Sequence, residues 1–452
     1  MSLILQTWQI FAAVGALWIL WRILRSYVVK SPLDNIPGPP SPSLLKGNIS
    51  QLFHRKNSWD FQREMSERYG SVVRFTQLFG ERALFVFDPK ALHSIVVKDQ
   101  YTYDRTTFDR HFRDIAIGPG ILSVPSPAWL RHLISKLIPG ANFKHVKSIV
   151  DTLYTRSRDI YLDKKEALLK GDEELKHQVG QGKDIMSVLR ASKFVLSPQS
   201  LLITTPVKMN LEAPKDERLS EDEVIAQMST FIFAATDTTS SALARILHLL
   251  AQYPEVQEKL RKEIIDAHNG QDLDYDSLVS LPFLEAVCRE TLRLYTPVSL
   301  TRRETIQDVV MPLSKPIHGN DGTLMNEVFV PRGTLVLTGN WASNTNKELW
   351  GEDADQWKPE RWLSPLPDAL KEARIPGVYS NLMTFIGGSR ACIGFKFSQL
   401  EMKVVLSILL SSFRFSLSDK PIMWNFSNIA YPTVGGEETK PSLPLKVELL
   451  RK

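Results

Sequence analysis

The chain opens on an unbroken apolar stretch. Residues 1–21 carry no charged side chain, and Arg22, Arg25 and Lys30 come directly after. About 20 helical residues rising ~1.5 Å each reach across the ~30 Å hydrocarbon core of a bilayer. This stretch therefore predicts a single transmembrane anchor over residues 1–30. Trp18 and Trp21 fall where interfacial aromatics are favoured, and the basic residues after them place the rest of the chain on the cytoplasmic side. A cleaved signal peptide would instead show a basic start and a shorter apolar run. Residues 31–44 form a proline-rich hinge, with Ile36-Pro37-Gly38-Pro39-Pro40 and Ser41-Pro42. Such a run is stiff and extended and cannot be helical. The folded body is expected over 45–452.

Within the body, residues 71–76 and 83–87 are rich in β-branched and aromatic side chains and flank Phe79-Gly80-Glu81, which predicts a hairpin. Most other segments carry helical spacing. Ser220 and Glu223 stand at capping-box spacing. From there an apolar helix of roughly 30 residues, nearly free of charge in its middle, runs to Tyr253-Pro254 and is expected to be buried in a core. Pro254 opens the next helix, which Asn269-Gly270 closes. Pro282 opens another that ends before Pro297, and a last helix runs from near Gly394 to about Ser412. No internal repeat is present.

Composition narrows the function classes. The 452 residues are 43% hydrophobic and 23% charged, ordinary for a globular chain with a large core. The net charge of +5 is mild and no Lys/Arg-rich run stands out, so nucleic acid is not an expected partner. A basic face would suit an acidic protein or an anionic membrane. The only cysteines are Cys288 and Cys392, which excludes a disulfide framework and multi-cysteine zinc sites. A reducing compartment is expected.

Cys392 sits in Phe385-Ile386-Gly387-Gly388-Ser389-Arg390-Ala391-Cys392-Ile393-Gly394. A thiolate that ligates a metal beneath a flat macrocycle needs backbone that folds tightly, which Gly388 and Gly394 permit. The N-terminus of the helix after it would stabilise the anionic sulfur. Arg390 is placed to pair with an acidic group of a cofactor, and Phe385 to shield the sulfur from water. The bland alternative is a buried cysteine in a glycine-rich turn. The pattern Phe-x-x-Gly-x-Arg-x-Cys-x-Gly resembles the haem-binding signature of the cytochrome P-450 family at every fixed position.

The resemblance implies a mainly α fold with a small β region, of the microsomal type and similar to the filamentous-fungal branch. It implies haem b with Cys392 as axial thiolate ligand. Glu290 and Arg293 of Glu290-Thr-Leu-Arg293, with Arg361 of the segment 355–362, would form a buried ionic network supporting the ligand loop. Asp237 and Thr238, in Ala234-Ala-Thr-Asp237-Thr238-Thr239, would relay protons toward dioxygen, although Ala235 stands where the family usually has Gly. The alternative is that these hydroxyls bond back to helix carbonyls. Arg303 stands where the family often has an arginine for a haem propionate; a solvated surface arginine is the competing reading. Cys288 reads as helix packing.

The activity implied is monooxygenation of a lipophilic small molecule, in fungal secondary metabolism or xenobiotic oxidation. An NADPH-dependent flavoprotein reductase would be the partner, docking near the ligand loop by way of Lys396 and Lys403. The location implied is the endoplasmic reticulum membrane, with the catalytic body in the cytoplasm. A haem-thiolate isomerase or dehydratase would need no proton relay, so Asp237 and Thr238 argue against it.

Three segments depart from the pattern. Residues 124–140 replace a haem-contacting helix, and Leu133 stands where an Arg is expected four residues after Trp129; Arg131 or His132 would have to substitute. Residues 142–190 are too few for the helices the family places there. Residues 192–208 interrupt a run that is otherwise continuous. Part of the central helical region is thus expected to be missing, as in a variant or mis-spliced reading frame. This keeps open a catalytically impaired haem-binding protein of the same fold, or a membrane-tethered interaction protein without cofactor.

Overall fold

The computed structural model describes residues 14–15, 17–18, 21, 24–25, 28–106, 141–170, 210, 213–214, 216–268 and 273–450. In chain order its main elements are helix α1 (Ser58–Tyr69), strands β1 (Val72–Thr76) and β2 (Arg82–Val86), helix α2 (Pro89–His93) and strand β3 (Tyr103–Asp104). Helices α3 (Ala141–Lys170), α4 (Glu221–Gln252), α5 (Pro254–His268), α6 (Tyr275–Ser280) and α7 (Pro282–Leu294) come next. Then come strands β4 (Leu300–Thr305), β5 (Val309–His318), β6 (Leu324–Val330) and β7 (Leu335–Gly339), helices α8 (Asn340–Asn344) and α9 (Phe395–Ser412), and strands β8 (Ile422–Asn425) and β9 (Tyr431–Val434). The fold is mainly α with a small β part, and every helix start expected at a proline or a capping box appears at that place. The chain divides into two compact units.

The first unit takes residues 1–105, 289–393 and 417–446. Its five-stranded sheet has the order β1-β2-β7-β4-β3. β2 and β7 run parallel; the other pairs are antiparallel. Phe75, Phe85 and Leu337 bury one face of it against Phe61 and Met65 of α1. The segment 31–36 packs into this unit instead of standing off as a hinge. Leu33 and Ile36 are 2% and 1% exposed. Asp34 pairs with Arg82 at 2.8 Å, and the Arg74 amide donates to the Pro37 carbonyl at 2.9 Å.

The second unit takes 106–288, 394–416 and 447–452. Its longest helix, α4, begins as the sequence predicts. The Ser220 side chain accepts from the Glu223 amide, and Glu223 accepts from the Ser220 amide at 2.8 Å. Glu221, Asp222 and Glu223 complement the helix dipole. Its first turns bury Val224, Ile225 and Met228 against Ile160 and Tyr161 of α3. Its middle corrects the expectation of a helix buried throughout. Phe233, Thr236, Asp237 and Ser240, at i, i+3, i+4 and i+7, share one face, on which Phe233 and Ser240 are exposed. Residues 1–13, 16, 19–20, 22–23 and 26–27, together most of the expected anchor, lie outside the described residues, as do 107–140 and 171–209 with the departures at 124–140 and 192–208. Among the described residues no helix is long and apolar enough to cross a membrane. Val14, Leu17, Trp18, Trp21 and Leu24 are described, and all expose apolar side chains.

Candidate functional site

The segment before Cys392 is folded tightly, though of the two glycines the sequence singles out only Gly388 carries the demand. Ile386 has φ +56°, a left-handed conformation rare for a β-branched residue. Gly388 has φ +72°, and a Cβ there would lie 1.7 Å from the Val96 carbonyl oxygen. A Cβ at Gly387 would lie 1.5 Å from the Pro376 carbonyl oxygen. The steric demand therefore falls on Gly387 and Gly388. Gly394, at φ −86°, adopts a conformation open to any residue.

Backbone bonds close the turn. The Cys392 amide donates to the Phe385 carbonyl at 2.9 Å, the Ile386 amide to the Met383 carbonyl at 3.0 Å, and the Val378 amide to the Ile386 carbonyl at 2.9 Å. Gln100 accepts from the Ser389 amide at 2.9 Å. The outcome is one exposed thiol, Cys392, at the end of a loop whose backbone is pinned on several sides. Cys288 is the opposite case: burial pushes its thiol up to about 12, with Glu285 adding to the rise, so it is an inert packing residue. The donor set at the loop fits a metal-ligating thiolate: one exposed cysteine, a backbone packed tightly at Gly387 and Gly388, and a helix starting three residues on, at Phe395.

Around the loop, Phe385 is 9% exposed and its ring lies 5.8 Å from that of Tyr379. Arg390 already has protein partners: it pairs with Asp104 at 2.9 Å and donates to the Tyr103 carbonyl at 2.7 Å. Its five donors leave capacity for an acidic group as well. Arg303, on β4, is buried and donates to the Arg302 carbonyl at 2.8 Å, so it is not a solvated surface arginine.

The three residues expected to form an ionic network come together. Glu290 and Arg293, both fully buried on α7, form a two-pronged pair with both bonds at 2.8 Å. Arg361 reaches the same carboxylate at 3.3 Å and Asp353 at 2.8 Å. The Arg361 hydrogen bond holds the Asp353 carboxyl below its usual range. Burial alone would lower Arg361, but its bonds to Asp353 and Glu290 outweigh that and raise it.

Several participants are not evident from the sequence. The Trp362 indole donates to Glu290 at 2.9 Å. Asn344 accepts from the Met383 amide at 2.8 Å and donates to Thr384 at 2.9 Å, while Arg293 donates to the Asn344 carbonyl at 3.0 Å. Asn344 thus ties the network to the residues just before Phe385. Trp362 is the immediate neighbour of Arg361, and that adjacency is the one sequence signal that marks it. Nothing in the sequence marks Asn344.

Asp237 and Thr238 belong to the other unit, in the middle of α4. The Thr238 hydroxyl donates back to the Ala234 carbonyl at 2.7 Å, and Thr236 does the same to Ile232 at 2.7 Å. The bland alternative for these hydroxyls is thus the arrangement present. It leaves the oxygen lone pairs of Thr238 available as acceptors. Lys403 corrects an expectation outright. It is 3% exposed, pairs with Glu285 at 2.8 Å and donates to the Val279 carbonyl at 2.9 Å, so it cannot dock a partner. Lys396 is exposed.

The family model described as cytochrome P-450 matches residues 134–435. Cytochrome P-450 monooxygenase 91 of Postia placenta is 42% identical, covering 97% of this chain and 98% of the relative. Ganoderic acid synthetase of Ganoderma lucidum is 41% identical over the same shares. These alignments run over 549 and 555 positions, more than the 452 residues of this chain, so the relatives carry residues that face gaps here.

Proposed function

The chain belongs to the cytochrome P-450 family, and on that premise we propose that Cys392 is the axial thiolate of a haem b in a monooxygenase acting on a lipophilic small molecule. The observation that carries the reading is the pinned loop: an exposed Cys392 thiol behind Gly387 and Gly388, where no other side chain fits. When bound, the haem supplies dioxygen activation, which an electron-rich thiolate favours. The chain's own residues do the rest. Phe385 limits water at the sulfur. Arg390 and Arg303 bind acidic groups of the cofactor. Asp237 takes protons from solvent through its carboxylate, and Thr238 passes them on. Glu290, Arg293 and Arg361 hold the loop and touch no substrate.

The apolar residues before Trp21 anchor the chain to the endoplasmic reticulum membrane, with an NADPH-dependent flavoprotein reductase as electron donor and Lys396 on the docking face. The likeness to a relative named ganoderic acid synthetase favours a substrate from fungal secondary metabolism. Purified full-length protein should carry one haem per chain. Cys392→Ala should abolish thiolate ligation and Cys288→Ala should leave it intact; equal behaviour of the two variants sinks the assignment.

A second reading has one observation in its favour. The alignment lengths suit a haem-binding protein that lacks residues its relatives carry and has lost its turnover. Haem binding with no NADPH consumption beside the reductase, over a panel of lipophilic compounds, would select it. Sequencing the transcript would settle a mis-spliced frame: a cDNA encoding this chain unchanged rules it out.

A further inference from the structure

We propose that Arg289 is a positioning residue that couples the buried Glu290–Arg293–Arg361 network to the Cys392 loop through stacked rings. The inference rests on the reading of Cys392 as haem ligand. The Arg289 guanidinium lies between two aromatic faces, 4.3 Å from the ring centre of Trp362 and 4.4 Å from that of Tyr379. It also donates to the Ser380 carbonyl at 3.0 Å. A planar, weakly hydrated cation suits such a slot, and each face adds attraction.

Each ring leads further. On one side the Trp362 indole donates to the Glu290 carboxylate at 2.9 Å. On the other, the Tyr379 ring lies 5.8 Å from the Phe385 ring, and the Phe385 carbonyl accepts the Cys392 amide at 2.9 Å. Arg289 therefore joins a network whose central pair is fully buried to the backbone that presents the thiol. The immediate neighbours repeat the link, since the Val378 amide bonds to the Ile386 carbonyl. Lysine could not replace it. An ammonium is a compact point charge and cannot offer a plane to both rings while reaching Ser380.

Spatial intermediacy alone does not establish coupling, so the test is a double-mutant cycle. Full-length Arg289→Ala, Arg289→Lys, Tyr379→Leu, Tyr379→Phe and the Arg289→Ala/Tyr379→Leu double variant would be compared with the parent. Two quantities are read: the fraction of thiolate-ligated band in the reduced CO spectrum, and amide hydrogen exchange at Cys392 in haem-free protein. Arg289→Ala and Tyr379→Leu should each speed that exchange about tenfold and lower the thiolate fraction. The double variant should go no further than either single one. Tyr379→Phe should match the parent, and Arg289→Lys should recover little.

Unchanged exchange and band in Arg289→Ala, effects that multiply in the double variant, or full recovery by lysine would each overturn the proposal. So would a lowered melting temperature with both readouts intact, the mark of a merely structural role. If Arg289→Ala does not fold, the Tyr379→Leu and Tyr379→Phe pair decides, and equal exchange in the two overturns it. A parent with no thiolate band overturns the haem reading instead, while the haem-free exchange still judges Arg289.

Discussion

Gly387 and Gly388 carry the most stringent steric demand near the candidate ligand, because a Cβ on either would overlap a backbone carbonyl oxygen. Gly388→Ala should therefore destabilise by more than the ~1–2 kcal/mol that a left-handed conformation alone costs an alanine, and should lower haem content in purified protein. Glu290 and Arg293 make the opposite kind of demand. Glu290→Gln leaves a buried guanidinium short of its counter-charge and should destabilise by about 3–5 kcal/mol in denaturant unfolding. The sequence shows the spacing of this pair but not its burial, since Glu-x-x-Arg is also a common surface pattern.

Asp353 adds a pH dependence with a definite sign. Its carboxyl is held down chiefly by the Arg361 hydrogen bond, so its stabilising effect is present above the ordinary value of 3.8 and is lost as pH falls through the lower folded value. Asp353→Asn should be less stable than the parent at neutral pH, and acid titration of the melting temperature should bring the two together. A gap that persists in acid would contradict the assignment.

At the scale of elements, start and stop signals read well and surroundings read poorly. The capping box at Ser220 and the prolines at 254 and 282 are local chemistry, fixed by two or three residues. Burial of the α4 middle is not legible in this way, because an apolar run does not reveal whether a face meets a core or stays open. Phe233, in that middle, is 52% exposed. Thr238→Ala should change unfolding stability little, since its hydroxyl only bonds back to the Ala234 carbonyl, but should lower product formed per NADPH consumed. Equal coupling in variant and parent would remove Thr238 from the relay.

For the whole molecule, the boundary between anchor and body is the part least legible in sequence. The prolines between 37 and 42 look like a hinge, yet Leu33 and Ile36 are as buried as any core residue. Proline stiffness is local, whereas the packing of residues 31–36 depends on Arg82 and the strands, which no local pattern discloses. A chain starting at residue 31 should keep the parent's melting temperature. One starting at 45 loses both side chains and should be less stable by about 3–6 kcal/mol.

The central claim is that Cys392 ligates haem iron through its thiolate. The most direct test is the reduced, CO-bound absorption spectrum of the full-length protein. A Soret band at the thiolate-ligated position, abolished in Cys392→Ala and retained in Cys288→Ala, is the predicted result. A blue-shifted band, or none, in the unaltered protein would contradict it.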